Sequence, residues 1–327
     1  MHSSKTAIIV GHRGQDGTLL SANLSERGYE IIGIGRSESS WGGVVSNRVV
    51  DVGDPGIVRQ LLGEVGPCDI YYLAAYHSSS ERSDAPVSQA ELFTQSQAVH
   101  VTGLLNFLSA MVEVIPQSRL FYAASSLVFS GKHGEVQDEE TPLEPVGMYG
   151  ITKAQGMWLC REFREKQKIF AACGILYNHE SYLRPCSFLT TKIIQAAINI
   201  AAGGADKLEV GRLSAKVDWG YAADYVNAFR AILALDSPDD FIMATGKVHS
   251  VEQFIEAVFG YFSLDWREHV VVNQGLLFRE QPVKRGNPSK LQDRTGIALS
   301  RPFSEFVRML IEDHLQAKPT LPSRLDK

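Results

Sequence analysis

Tyr149 and Lys153 stand four residues apart in a stretch with helical spacing, and Ser125-Ser126 closes an apolar segment upstream of them. Residues i and i+4 share one helix face, so a phenol and an ammonium can converge on one carbonyl while a serine hydroxyl gives its oxygen a second hydrogen bond. For the phenol to exchange a proton near neutrality its pKa must fall from about 10 toward 7, a differential stabilisation of roughly 4 kcal/mol. Lys153 supplies positive charge for that shift, and Ser126 holds the oxygen that exchanges the proton. Tyr-x-x-x-Lys alone recurs by chance in many helices. Here it follows a glycine-rich turn of the kind that holds a dinucleotide, and together they read as a site of hydride and proton exchange at one carbon.

That turn is Gly11-His12-Arg13-Gly14-Gln15-Asp16-Gly17. Glycines there allow a tight bend and let a pyrophosphate approach the amides at a helix N-terminus. Its context fits: residues 7–10 read as a strand, 18–27 as a helix that Gly28 ends, and 30–34 as the next strand. The end of the second strand selects the cofactor, because a carboxylate there accepts from a ribose 2'-hydroxyl whereas arginine takes a 2'-phosphate. Gly35-Arg36-Ser37 offers a guanidinium and a hydroxyl, and Arg13 adds a second guanidinium, so NADP(H) is expected over NAD. Asp51-Val52, after the third strand, is expected at the adenine edge.

The elements that position these groups alternate. Residues 7–10, 30–34, 48–51, 70–74, 120–125 and 170–177 read as strands, and 18–27, 55–64, 87–114 and 148–167 carry apolar residues at helical spacing. This predicts an α/β Rossmann fold, a doubly wound parallel sheet covered on both faces. After Tyr177 the alternation breaks up, with a helix over 188–202 and irregular segments, while 219–235 returns to the main sheet and adds a helix. The expected division is a Rossmann domain of residues 1–177 and 218–246 and a smaller, discontinuous substrate lobe of 178–217 and 247–327. The tail after Leu315, with Pro319 and Pro322, reads as loose.

Composition narrows the partners. The 327 residues are 44% hydrophobic and 21% charged with a net charge of -5, an ordinary globular balance without the basic stripe of a nucleic-acid binder. Cys68, Cys160, Cys173 and Cys186 are scattered without a Cys-x-x-Cys pair, which points to reduced thiols rather than a disulfide framework or a zinc site, and no metal is expected. The apolar run after Thr6 is too short for an export signal, and the longest one, 193–202, falls short of the roughly 20 residues that span a bilayer. A cytoplasmic protein without membrane contact is expected.

The motifs resemble those of the extended short-chain dehydrogenase/reductase superfamily, also called NAD-dependent epimerases/dehydratases, whose serine, tyrosine and lysine triad maps onto Ser126, Tyr149 and Lys153. Within it the chain is most similar to GDP-mannose 4,6-dehydratases, over about residues 7–315. The matching stretches are Gly14-Gln15-Asp16-Gly17, Tyr72-Leu73-Ala74-Ala75, Gly174-Ile175-Leu176-Tyr177-Asn178-His179-Glu180-Ser181, Thr191-Lys192-Ile193, Asp218-Trp219-Gly220-Tyr221-Ala222-Ala223-Asp224-Tyr225-Val226, Ala244-Thr245-Gly246 and Asn287-Pro288-Ser289-Lys290. The resemblance implies that Leu73, Ala74 and Ala75 join Gly11, Arg13, Gly14, Gln15, Asp16, Gly17, Tyr149 and Lys153 around the cofactor. It also implies that Asn178 and Arg279 bind a nucleotide diphosphate, and a homodimer or homotetramer built on the helices at 87–114 and 148–167.

The departures are informative. A dehydratase of this family carries a glutamate two residues beyond the catalytic Thr or Ser, and this chain has Val128 there. Losing a positioned acid/base costs on the order of 10²–10⁴-fold in rate, so water elimination is disfavoured. GDP-fucose synthases, which share the Gly-His-Arg-Gly turn, place a catalytic cysteine at that site, which valine also excludes. The arginine that usually precedes Asp218 is Val217, leaving Lys192, Arg212 or Arg184 to meet the substrate phosphates. Tyr76, His77 and His100 stand where the family usually has Gln, Ser and Asp or Asn, an altered sugar pocket or plain packing. His179 and Glu180 are expected to shape their loop, and Glu139 and Glu140 to form a solvated turn. The resulting expectation is NADPH-dependent reduction of a 4-keto nucleotide sugar, a GDP-4-keto-6-deoxyhexose, at C4. The alternatives are dehydratase or C4-epimerase chemistry with the cofactor recycled and, in another class, a non-catalytic sensor of NADP or nucleotide sugar.

Overall fold

The computed structural model of the chain describes residues 5–36, 45–76, 88–205, 207–273, 275 and 282–317. Short runs that are apolar on both sides cannot leave a face in water, and seven of them pair into one parallel sheet. These are β1 (Thr6–Val10), β2 (Glu30–Gly35), β3 (Val45–Val49), β4 (Asp69–Tyr72), β5 (Arg119–Ala123), β6 (Phe170–Leu176) and β7 (Asp240–Met243), ordered β7-β6-β5-β4-β1-β2-β3. Val10 lies opposite Ile34 on one side and Tyr72 on the other, so the loops leaving β1, β2 and β4 share one rim. The chain winds outward from β1 to β3 and then crosses back to β4. The crevice at that reversal, outside the strands' carboxyl ends, is where a doubly wound sheet takes its ligand.

Ten helices among the described residues follow: α1 (Gln15–Ser25), α2 (Pro55–Val65), α3 (Gln89–Gln97), α4 (Leu104–Val114), α5 (Gly147–Lys166), α6 (Leu189–Ala201), α7 (Ala222–Leu233), α8 (Val251–Tyr261), α9 (Ser289–Thr295) and α10 (Phe303–Gln316). One sheet face is covered by α1 and α7, with Leu20, Tyr225 and Phe229 against Ile9, Tyr71 and Phe121; the Phe121 and Phe229 rings stack at 4.4 Å. The other face is covered by α2, α4 and α5, with Val58, Phe107 and Met157 against Ile8, Ile70 and Tyr122. A separate core joins α6, α8 and α10 around Ile193, Phe254 and Leu310, with Trp219 at its edge.

The structure corrects the sequence reading in several places. The first helix starts at Gln15 rather than Thr18, because Gly14 is its cap and its carbonyl accepts from Thr18 N. The stretch expected as one helix over 87–114 is α3 and α4 joined by a widened π turn, Ala98–Gly103, and Val87 lies outside the described residues. There the Tyr72 hydroxyl donates to the Val99 carbonyl at 2.6 Å, and a Cβ on Gly103 would stand 2.4 Å from that hydroxyl. A side chain inserted into the helix ladder is a recognised cause of such a break. Trp219–Tyr221 pairs with Asn178–Glu180 rather than with the main sheet, although α7 does pack on it. The sheet's seventh strand is instead β7, which the sequence reading did not identify. The expected third strand, 48–51, is shifted back to Val45–Val49. All four cysteines are free, with Cys186 alone exposed. Among the described residues no helix is long and apolar enough to cross a membrane, and no group of three His, Cys, Asp or Glu side chains is placed to hold a metal ion. Residues 318–327, which include most of the tail, lie outside the described residues.

Candidate active site

Behind β1 the chain must turn at once into α1, and glycine makes this possible. Gly11 has φ +89°, and a Cβ there would lie 2.8 Å from the Ala74 backbone. A Cβ on Gly17 would lie 2.4 Å from the Gly11 carbonyl oxygen, so the first turn of α1 presses directly on the strand end. Gly14 is exposed at the helix start, where the first amides have no intrahelical acceptor and carry the positive end of the helix dipole. Leu73 N donates to Val10 O at 2.9 Å, which sets Leu73-Ala74-Ala75 along the same crevice. Arg13 and Arg36 are exposed, and the Arg13 stem passes beside Gly35, so two guanidinium groups flank the end of β2. Ser37 lies outside the described residues. The Asp51 carboxylate accepts from Gly53 N at 2.9 Å in its own turn, and Val52 O accepts from Asn106 at 2.9 Å. A crevice that a Cβ would fill, exposed helix-terminal amides and two cations at the second strand's end fit a dinucleotide.

Gln15 and Asp16 point their side chains elsewhere. Gln15 donates to the His179 carbonyl at 3.0 Å and accepts from the Ser181 hydroxyl at 2.8 Å. Both Asp16 oxygens sit 3.0 Å from His179 Nε2, while His179 Nδ1 faces the Tyr177 carbonyl at 2.7 Å. Both ring nitrogens therefore face oxygens, which pins the ring between the Asp16 carboxylate and the Tyr177 carbonyl. Burial raises the Asp16 carboxyl, and His179, Arg184 and Gln15 together outweigh it, leaving the group below its usual range. The His179 ring stacks on Tyr225 at 4.6 Å, and Thr190 donates to Glu180 at 2.6 Å. Arg184 donates to the His179 carbonyl at 3.1 Å. Two motifs some 160 residues apart are thus one polar cluster joining the dinucleotide turn to the strand after β6; sequence reasoning recognised each motif and missed their contact.

At the chemical end, Lys153 is buried and donates to the Ala123 carbonyl at 2.8 Å, with its amine 5.6 Å from the centre of the Tyr149 ring. Burial lowers its pKa to about 7 against the pull of Asp16. Tyr149 is pushed up to about 12 by burial, with Arg184 drawing it down and Asp16 raising it. Arg184 is therefore a second cation in range of the phenol. Ser126 and Ser125 differ in use: Ser125 Oγ accepts from Leu127 N, capping the turn Ser126–Val128, whereas the Ser126 hydroxyl makes no side-chain hydrogen bond among the described residues. A Cβ on Gly150 would lie 2.4 Å from Leu127 O, so the start of α5, which carries Tyr149, packs tightly against the turn that Ser126 opens. Val128 is 0% exposed within the sheet's core. His100, on the π turn, accepts from Tyr76 N at Nε2 (3.0 Å), so its Nδ1 donates to Thr152 Oγ1 (2.8 Å), which passes its own proton to the Met148 or Tyr149 carbonyl. This fixes His100 as a packed, hydrogen-bonded strut whose ring meets Tyr149 edge-on at 5.1 Å. His77 lies outside the described residues.

The expected substrate residues are less closely gathered. Asn178 is exposed beyond β6, Lys192 is half-buried on α6, and Arg212 is exposed with its Nε donating to Ser214 at 3.0 Å. Arg279 lies outside the described residues. Val217 pairs with His249. Asp218, raised by burial, accepts from Thr245 N and Oγ1 and from Gly246 N and so pins the chain crossing. Glu140 is exposed, but Glu139 departs from a solvated turn: its carboxylate accepts from Ile242 N at 2.7 Å on the sheet edge. Sequence reasoning did not single out Lys284, whose amine reaches the Phe129 carbonyl at 3.4 Å.

The family model for GDP-mannose 4,6 dehydratase matches residues 8–310. GDP-mannose 4,6 dehydratase 1 of Arabidopsis thaliana is 32% identical over 333 residues, covering 95% of this chain and 90% of that protein. The Homo sapiens GDP-mannose 4,6 dehydratase is 36% identical over 271 residues, covering 77% and 71%. Among solved structures, Thermus thermophilus UDP-glucose 4-epimerase in complex with NAD superposes with a TM-score of 0.78 at 18% identity, covering 96% of this chain and 100% of that one. Bacillus anthracis dTDP-glucose 4,6-dehydratase in complex with NAD gives 0.78 at 14%, covering 96% and 97%. At these identities the structural likeness establishes the fold.

Proposed function

The chain belongs to the GDP-mannose 4,6-dehydratase family, and we propose that within it this protein is an NADPH-dependent reductase of a 4-keto nucleotide sugar, a GDP-4-keto-6-deoxyhexose. The observation that carries the reading is Lys153 held 5.6 Å from the centre of the Tyr149 ring, on the helix that packs against the Ser126 turn, with a valine sealed into the core at position 128. Redox exchange at one carbon needs only the triad, whereas elimination needs a further acid/base.

Gly11, Gly14 and Gly17 would admit the dinucleotide's pyrophosphate with Leu73, Ala74 and Ala75 opposite, Arg13 and Arg36 would take the 2'-phosphate, and Asp51 and Val52 would border the adenine. The bound nicotinamide supplies the hydride for C4. Ser126, with its hydroxyl uncommitted, hydrogen-bonds O4. Tyr149, which burial keeps protonated, gives O4 its proton. Lys153, anchored on the Ala123 carbonyl, and Arg184 stabilise the phenolate left behind. Asn178, Lys192, Arg212 and Arg279 are the proposed contacts of the nucleotide diphosphate, in a lobe formed by residues 178–217 and 247–327. Exposed Leu105 on α4 and Trp158 on α5 support a homodimer or homotetramer through those helices.

The test is nicotinamide absorbance with purified protein and NADPH, offered GDP-mannose and then GDP-4-keto-6-deoxymannose, with products identified by NMR. Oxidation of NADPH with the keto sugar alone is expected. A 4-keto product from GDP-mannose without net NADPH loss would replace this reading by the dehydratase one, to which the family relatives' names point. Tyr149→Phe should lose on the order of 10²-fold or more in turnover while retaining cofactor binding; indifference to that change would identify a binder rather than an enzyme.

A further inference from the structure

Lys284 carries a charge that nothing in the described structure answers. It precedes the segment Arg285–Gly286, which pairs with Val136–Gln137, and its stem lies beside Gly131. Its amine makes one long hydrogen bond, 3.4 Å to the Phe129 carbonyl, and among the described residues no carboxylate forms an ion pair with it. Several half-buried cations of this chain are paired: Arg164 with Asp240, Lys290 with Asp239 and Arg301 with Asp224. A buried ammonium without a counter-charge is costly to keep, and burial presses this one toward giving up its proton, to about 8.

Its position says what could answer it. Phe129 N donates to Ser126 O at 3.1 Å, so the residue whose carbonyl holds the amine lies one tight turn past Ser126, roughly 6 Å along the axis. A hexose that presents C4 to Ser126 and Tyr149 carries its diphosphate across the ring, at C1, and therefore places two phosphates about one sugar's width from that hydroxyl. Val217 carries no charge where the family has its arginine, and Arg212 is exposed with its Nε on Ser214.

We propose that Lys284 binds the diphosphate of the nucleotide sugar, supplying the cation that Val217 lacks. The inference rests on the nucleotide-sugar reading above and adds to it the residue that meets the charge. In the absence of substrate the amine is parked on the Phe129 carbonyl; with substrate it exchanges that long bond for a charge-assisted one to phosphate oxygen.

Titration of the full chain with GDP and with guanosine, for wild type, Lys284→Met, Lys284→Gln and Lys284→Arg, tests this. The two neutral variants should bind GDP on the order of 10- to 100-fold more weakly and guanosine unchanged, while Lys284→Arg should stay near wild type. Thermal melts identify any neutral variant that fails to fold, and the other then decides. Wild-type GDP affinity in a folded neutral variant would overturn the assignment of Lys284 alone. Wild-type protein that binds neither GDP nor UDP would overturn the nucleotide-sugar reading and this inference with it.

Discussion

Replacing Lys153 by methionine should make the protein more stable and inactive. The side chain is buried, and burial lowers the amine from 10.5 to about 7. In the unfolded chain the same amine titrates near its ordinary value. Between about pH 7 and 10.5 the unfolded chain therefore binds the extra proton, and stability rises with pH by about 1.4 kcal/mol per unit. At pH 7 the amine consequently costs the fold about 4 kcal/mol relative to strongly alkaline solution. Methionine has a similar reach and no proton to lose, but it forfeits the bond to the Ala123 carbonyl, a loss of about 1 kcal/mol. The net gain is about 3 kcal/mol at pH 7, which in a chain of 327 residues raises the melting temperature by about 4 °C. At pH 10 the native amine is neutral while the unfolded one is still mostly protonated, so its cost to the fold falls to about 0.8 kcal/mol, close to the worth of the lost hydrogen bond, and the gap should shrink to near zero. Paired thermal melts of wild type and Lys153→Met at pH 7 and 10 measure both numbers. A variant that melts below wild type at pH 7, or a gap that ignores pH, would refute the claim that Lys153 is held against its own solvation for the sake of catalysis.

Asp16→Asn removes one side of the ion pair with His179 and should destabilise by about 3–5 kcal/mol at pH 7, read from urea midpoints. Because the folded carboxyl lies below its ordinary value, its contribution is present above about pH 3.8 and is lost as the pH falls further, so the gap to wild type should close in acid; equal midpoints at pH 7 would mean the bridge between turn and strand contributes nothing. Val128→Glu should not restore dehydration, since position 128 faces the core, and should destabilise by about 2 kcal/mol or more. A 4-keto product from GDP-mannose with that variant would show that residue 128 can reach the sugar.

The sheet and the placing of Tyr149 and Lys153 together on one helix were legible because both depend on local patterns: apolar runs bounded by glycine, and an i,i+4 spacing. What escaped the sequence was decided by contacts between distant segments. No spacing rule distinguishes Gln15 and Asp16 lining a phosphate from Gln15 and Asp16 reaching across to His179 and Ser181. The break in the helix after α3 depends on the hydroxyl of Tyr72, which lies on a strand some 27 residues earlier. Lys284 looks like any surface lysine in the sequence, and only the turn at Phe129 and the lack of an acid beside it set it apart. β7 was missed because Phe241-Ile242-Met243 is short and the return to the sheet was placed earlier, within 219–235, yet it completes the sheet edge and engages Glu139.

That last contact bears on the chemistry. A dehydratase reading of this chain needs a proton-transfer group other than residue 128, and carboxylates are the natural source. The described carboxylates around the site are committed elsewhere: Asp16 to His179, Glu180 to Thr190, Asp218 to Thr245 and Gly246, Glu139 to the amide of Ile242, and Glu144 to Ser130 and Lys132. Freeing any one of them would leave its partner unsatisfied, at a cost of about 1–3 kcal/mol, before any chemistry began. Ser126, by contrast, has a hydroxyl with no side-chain hydrogen bond among the described residues, and the helix packed on its turn carries Tyr149, a phenol that burial keeps protonated. A site with a ready hydrogen-bond donor and a ready acid, but no idle carboxylate among the described residues, is better suited to delivering a proton to a reduced carbonyl oxygen than to removing one from carbon.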